Sequence, residues 1–202
     1  TKAGLKIPEI FDAAINKEVK ALWIIGEDVV QTDPNSAHVV KAMNALDLLV
    51  VQEIFLSETA KHADVVLPGT TFLEKDGTFT NTERRVQRVN KAAEPLPGTK
   101  PDGLIVTEMM QKLGFNQKLY DADEVLAEIA DIVPFFKGIT RERLGKLGLQ
   151  WPVKEDGTDT KILHEKEFKL GKGRIKYFDW KESSEVEKNK KKFPLILTTS
   201  RV

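Results

Sequence analysis

The chain has 202 residues, 41% hydrophobic and 31% charged, with 31 basic and 31 acidic side chains and a formal charge of zero. This is the composition of an ordinary soluble globular protein with one ample core, or one domain plus a piece of another. It lacks the basic field that nucleic-acid or anionic-membrane binding needs. There is no cysteine, which removes cysteine-ligated iron–sulfur clusters, thiolate zinc sites and thiol catalysis from this chain.

Residues 7–19 carry Ile7, Ile10, Phe11, Ala14 and Ile15 at helical spacing, predicting a first helix. Ala21 to Ile25 is a short apolar run ended by Gly26, read as a buried strand. Asp33-Pro34 reads as a helix start, because Asp caps free N–H groups and Pro suits the first turn. The helix that follows is expected to bury Val39, Val40, Met43 and Leu46. Leu48 to Val51 is a second strand, too continuously apolar for one face to be wet.

Ser57 to Ala60 suggests a short helix, and Val65 to Leu67 a third strand that stops at Pro68. A small-residue, hydroxyl-rich loop with Glu74, Lys75, Asp76 and Gly77 comes next, followed by a half-exposed strand at Arg85 to Val89. Beyond a Pro- and Gly-rich loop, Leu104, Ile105, Met109, Met110 and Leu113 form a helical stripe, and residues 122–132 another helix. Strand, helix, strand, helix, strand predicts a right-handed parallel α/β core. From about residue 140 the pattern breaks up, with one further strand expected at Arg174 to Trp180 and a solvated charged linker at Glu187 to Lys192.

No apolar run approaches the roughly 18–20 residues of a membrane span. The chain opens on Thr1 and closes on Leu195 to Val202, which reads as a strand running off the end. It therefore reads as a piece cut at both ends, and a missing targeting signal says little.

The chemistry-bearing residues gather after the strands. Gly26 ends the first, where a ligand can approach the backbone. Asp28 can accept from sugar hydroxyls or a base edge, and free N–H groups at the next helix can hold an oxyanion; an ordinary βα turn is the plainer reading. Gln52 and Glu53 end the second strand, either to hydrogen-bond a nucleotide or to cap the turn beyond. Lys75 can neutralise phosphate or lie in solvent. Asp102 precedes a helix, so it is either a cap or a carboxylate accepting two N–H bonds from a guanine edge. His38, His62 and His164 share no metal-ligand spacing, and Ser57 and Ser200 have no recognisable base partner. Strand ends of this kind outline a site at the carboxyl edge of a parallel sheet.

The wording of several segments is familiar. Leu22-Trp23-Ile24-Ile25-Gly26-Glu27-Asp28, Val50-Val51-Gln52-Glu53-Ile54-Phe55-Leu56-Ser57-Glu58-Thr59-Ala60 and Ala63-Asp64-Val65-Val66-Leu67-Pro68 resemble the molybdopterin oxidoreductase family. So does Glu74-Lys75-Asp76-Gly77-Thr78-Phe79-Thr80-Asn81-Thr82-Glu83-Arg84-Arg85-Val86-Gln87, and the likeness is greatest to formate dehydrogenase catalytic (alpha) subunits. The resemblance implies that residues 1–140 are a Rossmann-like parallel sheet with flanking helices that binds the guanosine end of one molybdopterin guanine dinucleotide. Residues 141–192 are then an irregular connecting segment. Residues 193–202, where Phe193 to Arg201 carry the likeness, are the first strand of a truncated C-terminal β-barrel domain.

Carried over by position, the resemblance implies Gly26, Asp28, Thr32, Gln52, Glu53, Gly69, Lys75 and Asp102 as cofactor-binding residues. Asp102 or Glu53 is assigned to guanine and Asp28 to ribose. Glu53 stands where the family usually has aspartate, and Gly69 where it often has a small hydroxyl residue. The whole enzyme would use molybdenum or tungsten to oxidise formate to carbon dioxide, passing two electrons to an iron–sulfur cluster outside this segment. Its catalytic residues and metal ligand also lie outside. The implied partners are the remaining domains of the subunit and an electron-transfer subunit or acceptor protein; the expected compartment is the cytoplasm. Two rivals stand beside this reading: a relative that kept the fold and lost the cofactor, as in the large iron–sulfur subunit of NADH dehydrogenase, or another molybdopterin enzyme such as a nitrate reductase.

Overall fold

A computed structural model describes residues 3–168 and 170–197, with the side chain of Glu185 left aside. The chain divides into two compact units, Thr1–Lys161 and Ile162–Val202.

The first unit begins with helix α1 (Ile7–Ile15), where the Glu9 carboxylate accepts the Lys6 backbone N–H at 2.8 Å and Phe11, Ala13 and Ala14 turn inward. Strand β1 (Ala21–Ile25) follows, then a single turn α2 (Val29–Thr32), helix α3 (Ser36–Met43) and strand β2 (Leu48–Glu53). The α3 cap is Asn35, whose side chain accepts the His38 N–H; Asp33 instead accepts from Asn35, and Pro34 lies outside the helix. The expected start at Asp33-Pro34 is thus displaced, with Asn35 taking the cap two residues on.

A 3-10 turn (Ala60–His62) leads to strand β3 (Val65–Pro68). β1, β2 and β3 form a parallel sheet in that order, with Trp23 beside Val50 and Val50 beside Val65. Phe11, Ala14, Val39, Ala42, Met43, Leu49 and Val51 close one core against it. The predicted inner face of α3 is present: Val39 and Met43 are buried, with Val40 and Leu46 packed against the cluster. α1 and α3 cover one face of the sheet. Ile25, Leu48, Val65 and Val66 remain exposed, so the expectation of strands with no wet face is not met, because no described element of this chain covers those positions.

The loop after β3 contains structure that the sequence reading missed. Residues Gly77–Thr80 form strand β4, paired antiparallel with β5 (Arg85–Val89), and a two-residue strand β6 (Leu149–Gln150) adds to the far side of β5. Helices α4 (Asp102–Lys112), α5 (Ala122–Ile132) and α6 (Arg141–Leu144) complete the unit. Val86, Leu126, Ile139, Leu144 and Val153 form a second core. Arg84, left-handed at φ 66°, donates to the carbonyls of Trp151, Thr160 and Lys161 and lies over the Trp151 ring. Residues 141–161, expected to be irregular, are tied down by these contacts.

Among its described residues the second unit holds one short helix, α7 (Ser184–Asn189), capped by the Ser183 hydroxyl. It overlaps the start of the run read as a charged linker. The strand expected at Arg174 to Trp180 is absent: these residues have no regular structure and their side chains are exposed. Without an apolar surface to cover one face, alternating residues there have no reason to pair. Phe193 to Leu197 form no strand, residues 198–202 lie outside the described ones, and no closed barrel is present among the described residues. Nor is any helix long and apolar enough to cross a membrane.

Leu49, 1% exposed beneath the helices, sets the expectation for stability. Leu49→Ala should destabilise the chain by about 2–5 kcal/mol in urea titration, whereas Leu147→Ala, on an exposed turn, should shift it by no more than about 0.5 kcal/mol. Equal effects would contradict the assigned core.

Candidate functional site

All three parallel strands deliver their last residues to one edge. Gly26, at φ 62°, turns the chain away from β1 and donates its N–H to the Gln52 carbonyl at 2.9 Å. Gln52 and Glu53 end β2, and Gly69 follows β3, donating to the Glu53 carbonyl at 3.0 Å. The Lys100 N–H then donates to the Pro68 carbonyl at 3.1 Å, so the chain runs alongside the tip of β3 just before α4 begins. That passage delivers Asp102, the first residue of α4, to the end of the sheet. A Cβ on Gly69 would stand 3.2 Å from Asp102 Oδ1, so glycine leaves the carboxylate its space.

Lys75 arrives from the other side. The Glu74 carboxylate accepts both the N–H and the hydroxyl of Thr71, at 2.8 and 2.9 Å, closing the 3-10 turn Phe72–Glu74. Lys75 follows that turn directly. Its Nζ donates to Asp102 Oδ2 at 2.5 Å and to the Thr70 carbonyl at 3.3 Å. Gln52 Nε2 donates to Asp102 Oδ1 at 2.8 Å. Burial alone would raise the Asp102 carboxyl's pKa; the bonds from Lys75 and Gln52 and the lysine's charge outweigh it and hold the value below 3.8. Asp102 is therefore an acceptor-only carboxylate at neutral pH, and each of its oxygens keeps a lone pair after these two bonds.

Around this pair lies an open cleft of about 350 Å³ whose lining includes Gly26, Gln52, Glu53, Thr70, Lys75 and Asp102. Phe72, Phe79 and Ile54 give it an apolar wall. A smaller hollow of about 160 Å³ lies on the other side of Lys75 and Asp102, beside Tyr120. Tyr120 packs on the first turn of α4, where a Cβ on Gly103 would come within 2.3 Å of its ring.

Five of the eight positions singled out in the sequence thus meet in one cleft, and Gly69 lies against the Asp102 carboxylate. Asp28 and Thr32 do not line it. The Asp28 carboxylate accepts from the Thr59 hydroxyl at 2.6 Å, the Thr59 N–H at 3.0 Å, the Glu58 N–H at 3.3 Å and Gln31 at 2.7 Å. These bonds outweigh its burial and lower its pKa; they tie the loop after β1 to the turn before β3. The Thr32 hydroxyl donates to Glu27. Asp102 is not the helix cap that local sequence suggested: it is the first helical residue, Pro101 stands at the cap with no side-chain hydrogen bond, and the Asp102 carboxylate accepts from Gln52 and Lys75 instead.

Sequence reading missed Thr70, Phe72, Phe79 and Tyr120. The hydroxyl-rich character of the loop was visible, but not that Thr71 would be consumed by Glu74 while Thr70 was buried. Among the described residues no group of three or more His, Cys, Asp or Glu side chains is placed to hold a metal ion. His38 pairs with Asp12 at 3.0 Å, and His164 lies against the Phe168 ring.

A depressed carboxyl pKa contributes stability that is present above the unfolded value and lost as pH falls through the lower folded one. For Asp102 that loss begins below about pH 3.8. Asp28 and Glu74 are lowered in the same direction, so acid sensitivity is shared. Asp102→Asn should therefore make the fall of stability between neutral pH and about pH 3 shallower than in the wild-type chain, by denaturant titration at stepped pH. An identical slope would contradict an ionised, bonded Asp102.

Comparison with known proteins agrees with the segments quoted above. The family model of molybdopterin oxidoreductase matches residues 1–112. The chain is 45% identical over 203 residues to the F420-dependent formate dehydrogenase subunit alpha of Methanocaldococcus jannaschii, covering 99% of this chain and 30% of that protein. It is 45% identical to the F420-dependent formate dehydrogenase 2 subunit alpha of Methanococcus maripaludis, covering 98% of this chain and 30% of that protein. The chain therefore spans about a third of the length of these relatives. Among solved structures, acetylene hydratase from Pelobacter acetylenicus shares the fold with a TM-score of 0.55 at 24% identity, over 67% of this chain and 19% of that one. The chain belongs to the molybdopterin oxidoreductase family.

Proposed function

We propose that this chain is the cofactor-binding part of a molybdenum- or tungsten-dependent formate dehydrogenase catalytic subunit, and that its cleft holds the guanosine end of one molybdopterin guanine dinucleotide. The observation that carries this reading is the Asp102 carboxylate, fixed by Gln52 and Lys75 at the carboxyl edge of a parallel sheet. Ligands of open α/β sheets sit outside that edge. The family membership and the formate dehydrogenase names of the relatives support the same reading.

The residues present suit a guanosine. Guanine offers two neighbouring N–H donors on one edge, and an acceptor-only carboxylate with free lone pairs is their complement. The Lys75 ammonium has three N–H groups; two meet Asp102 and Thr70, and the third is available to a carbonyl or phosphate oxygen of the ligand. Gly26 lets the nucleotide approach the backbone, and the Phe72 and Phe79 side of the cleft offers apolar surface to a base. With Asp28 outside the cleft, the Glu53 oxygen left over from the Ile54 N–H bond is the acceptor proposed for a ribose hydroxyl. Two polar atoms on residues that line the cleft, Gln52 Oε1 and Thr70 Oγ1, are buried without partners among the described residues. A ligand-free structural relative has no use for them, which favours the cofactor reading over that rival.

When bound, the metal at the far end of the dinucleotide supplies the two-electron redox chemistry. Residues of this chain bind and orient the nucleotide; the catalytic groups, the iron–sulfur cluster and the electron acceptor belong to the rest of the subunit and its partners. In the full-length subunit, Asp102→Ala should lower the guanine nucleotide released on denaturation, following a loss of about tenfold or more in cofactor affinity, the worth of one charge-assisted contact. Wild-type nucleotide content with wild-type turnover would remove Asp102 from the site.

A further inference from the structure

The hydrogen bonds at the cleft form an open chain rather than a closed network. Gln52 donates to Asp102, and Lys75 donates both to Asp102 and to the Thr70 carbonyl. At its two ends stand Gln52 Oε1 and Thr70 Oγ1, which have no partner among the described residues. Both residues are almost fully buried, at 1% and 2% exposure, and both line the same cleft. A buried polar atom without a partner costs stability, and native structures seldom keep two of them on one wall unless something else satisfies them.

Local rearrangement does not relieve them. Turning the Gln52 amide over would set its oxygen against the ionised Asp102 oxygen and remove that carboxylate's donor. The Thr70 backbone is held through its carbonyl by Lys75, and Thr71, the neighbouring hydroxyl, is committed to Glu74. Among the described residues the other orphaned polar atom is Nε1 of Trp23, a β1 residue that lines a different, apolar hollow.

We infer that Gln52 Oε1 and Thr70 Oγ1 form a two-point contact completed by the bound ligand, and that Thr70 is a specificity-determining residue of the nucleotide site. The inference rests on the nucleotide reading above and extends it to a residue that the sequence did not single out. Gln52 Oε1 can only accept, so the ligand group opposite it carries an N–H or O–H. Thr70 Oγ1 can donate or accept, so the neighbouring ligand atom is polar of either kind. An ionised phosphate offers acceptors alone and cannot satisfy Gln52. This corner of the cleft therefore takes an edge with a donor beside a second polar atom, as a guanine amino edge or a ribose diol presents. Gln52 thereby has two tasks, orienting Asp102 with its nitrogen and meeting the ligand with its oxygen.

The test compares wild type, Thr70→Val and Thr70→Ser in the cofactor-free full-length subunit, by thermal unfolding and by calorimetric titration with GDP. Thr70→Val keeps the side-chain shape and removes only the hydroxyl. It should raise the unfolding temperature of the free protein while weakening GDP about five- to tenfold; Thr70→Ser should restore the affinity. A merely structural threonine would give the opposite sign in the free protein and leave GDP affinity alone. Inosine diphosphate lacks the exocyclic amine, and 2′-deoxy-GDP lacks one ribose hydroxyl. The analogue that binds wild type and Thr70→Val equally lacks the group that Thr70 touches. Unchanged GDP affinity in Thr70→Val overturns the contact; an equal loss for all three ligands supports it and assigns it to a group the three share. Failure of the wild type itself to bind GDP would instead contradict the nucleotide reading.

Discussion

The arrangement of this end of the molecule depends on one carboxylate. Asp102 sits between an amide from β2 and an ammonium from the loop after β3, and neither partner is its sequence neighbour. An ionised group that is only partly in water needs such partners, because desolvation otherwise drives it neutral. Here the partners hold it charged, and the carboxylate in return fixes three segments of chain at the edge of the sheet: the end of β2, the loop bearing Lys75 and the start of α4.

Each of those segments has its own reason for being there. β2 is the central strand of the parallel sheet, held between β1 and β3 and packed over a dry face, so Gln52 is carried by the most rigid element available. Lys75 is set by the turn that Glu74 closes on Thr71. Asp102 is brought in by the short pairing of Lys100 with the tip of β3, and Tyr120 packs over the glycine beside it. The first core thus sets the height of the site, while β4 and the start of α4 form its side walls. Asp28 belongs to a different device: its carboxylate is spent on Thr59, Glu58 and Gln31, joining two loops on the same edge.

Much of this was legible in the amino-acid order. The apolar runs of β1 to β3 and the helical spacing of α1, α4 and α5 are local patterns, and local patterns survive folding when the tertiary contacts agree with them. Gly26, Gln52 and Glu53 were picked out at strand ends, Lys75 as a loop cation and Asp102 as the residue ahead of a helix, and all five line one cleft. What was not legible depends on pairing across distance. β4 is four residues of Gly-Thr-Phe-Thr with no apolar alternation, and it is a strand only because β5 lies beside it. Thr70 is buried and its carbonyl accepts from Lys75, five residues on, a contact no residue pattern announces. Arg174 to Trp180 failed in the reverse direction: a strand-like composition with nothing to pair against. The Asp33-Pro34 helix start failed because Asn35, two residues on, makes the better cap.

The central claim is that the Gln52–Asp102–Lys75 cleft receives the guanosine end of the cofactor. The most direct measurement is a crystal structure of the cofactor-loaded full-length subunit. The account predicts a guanine edge with N–H groups within about 3 Å of the Asp102 carboxylate, at hydrogen-bond distance, and the sheet edge of β2 beneath it. Guanosine bound elsewhere, with this cleft filled by side chains from another part of the subunit, would contradict it.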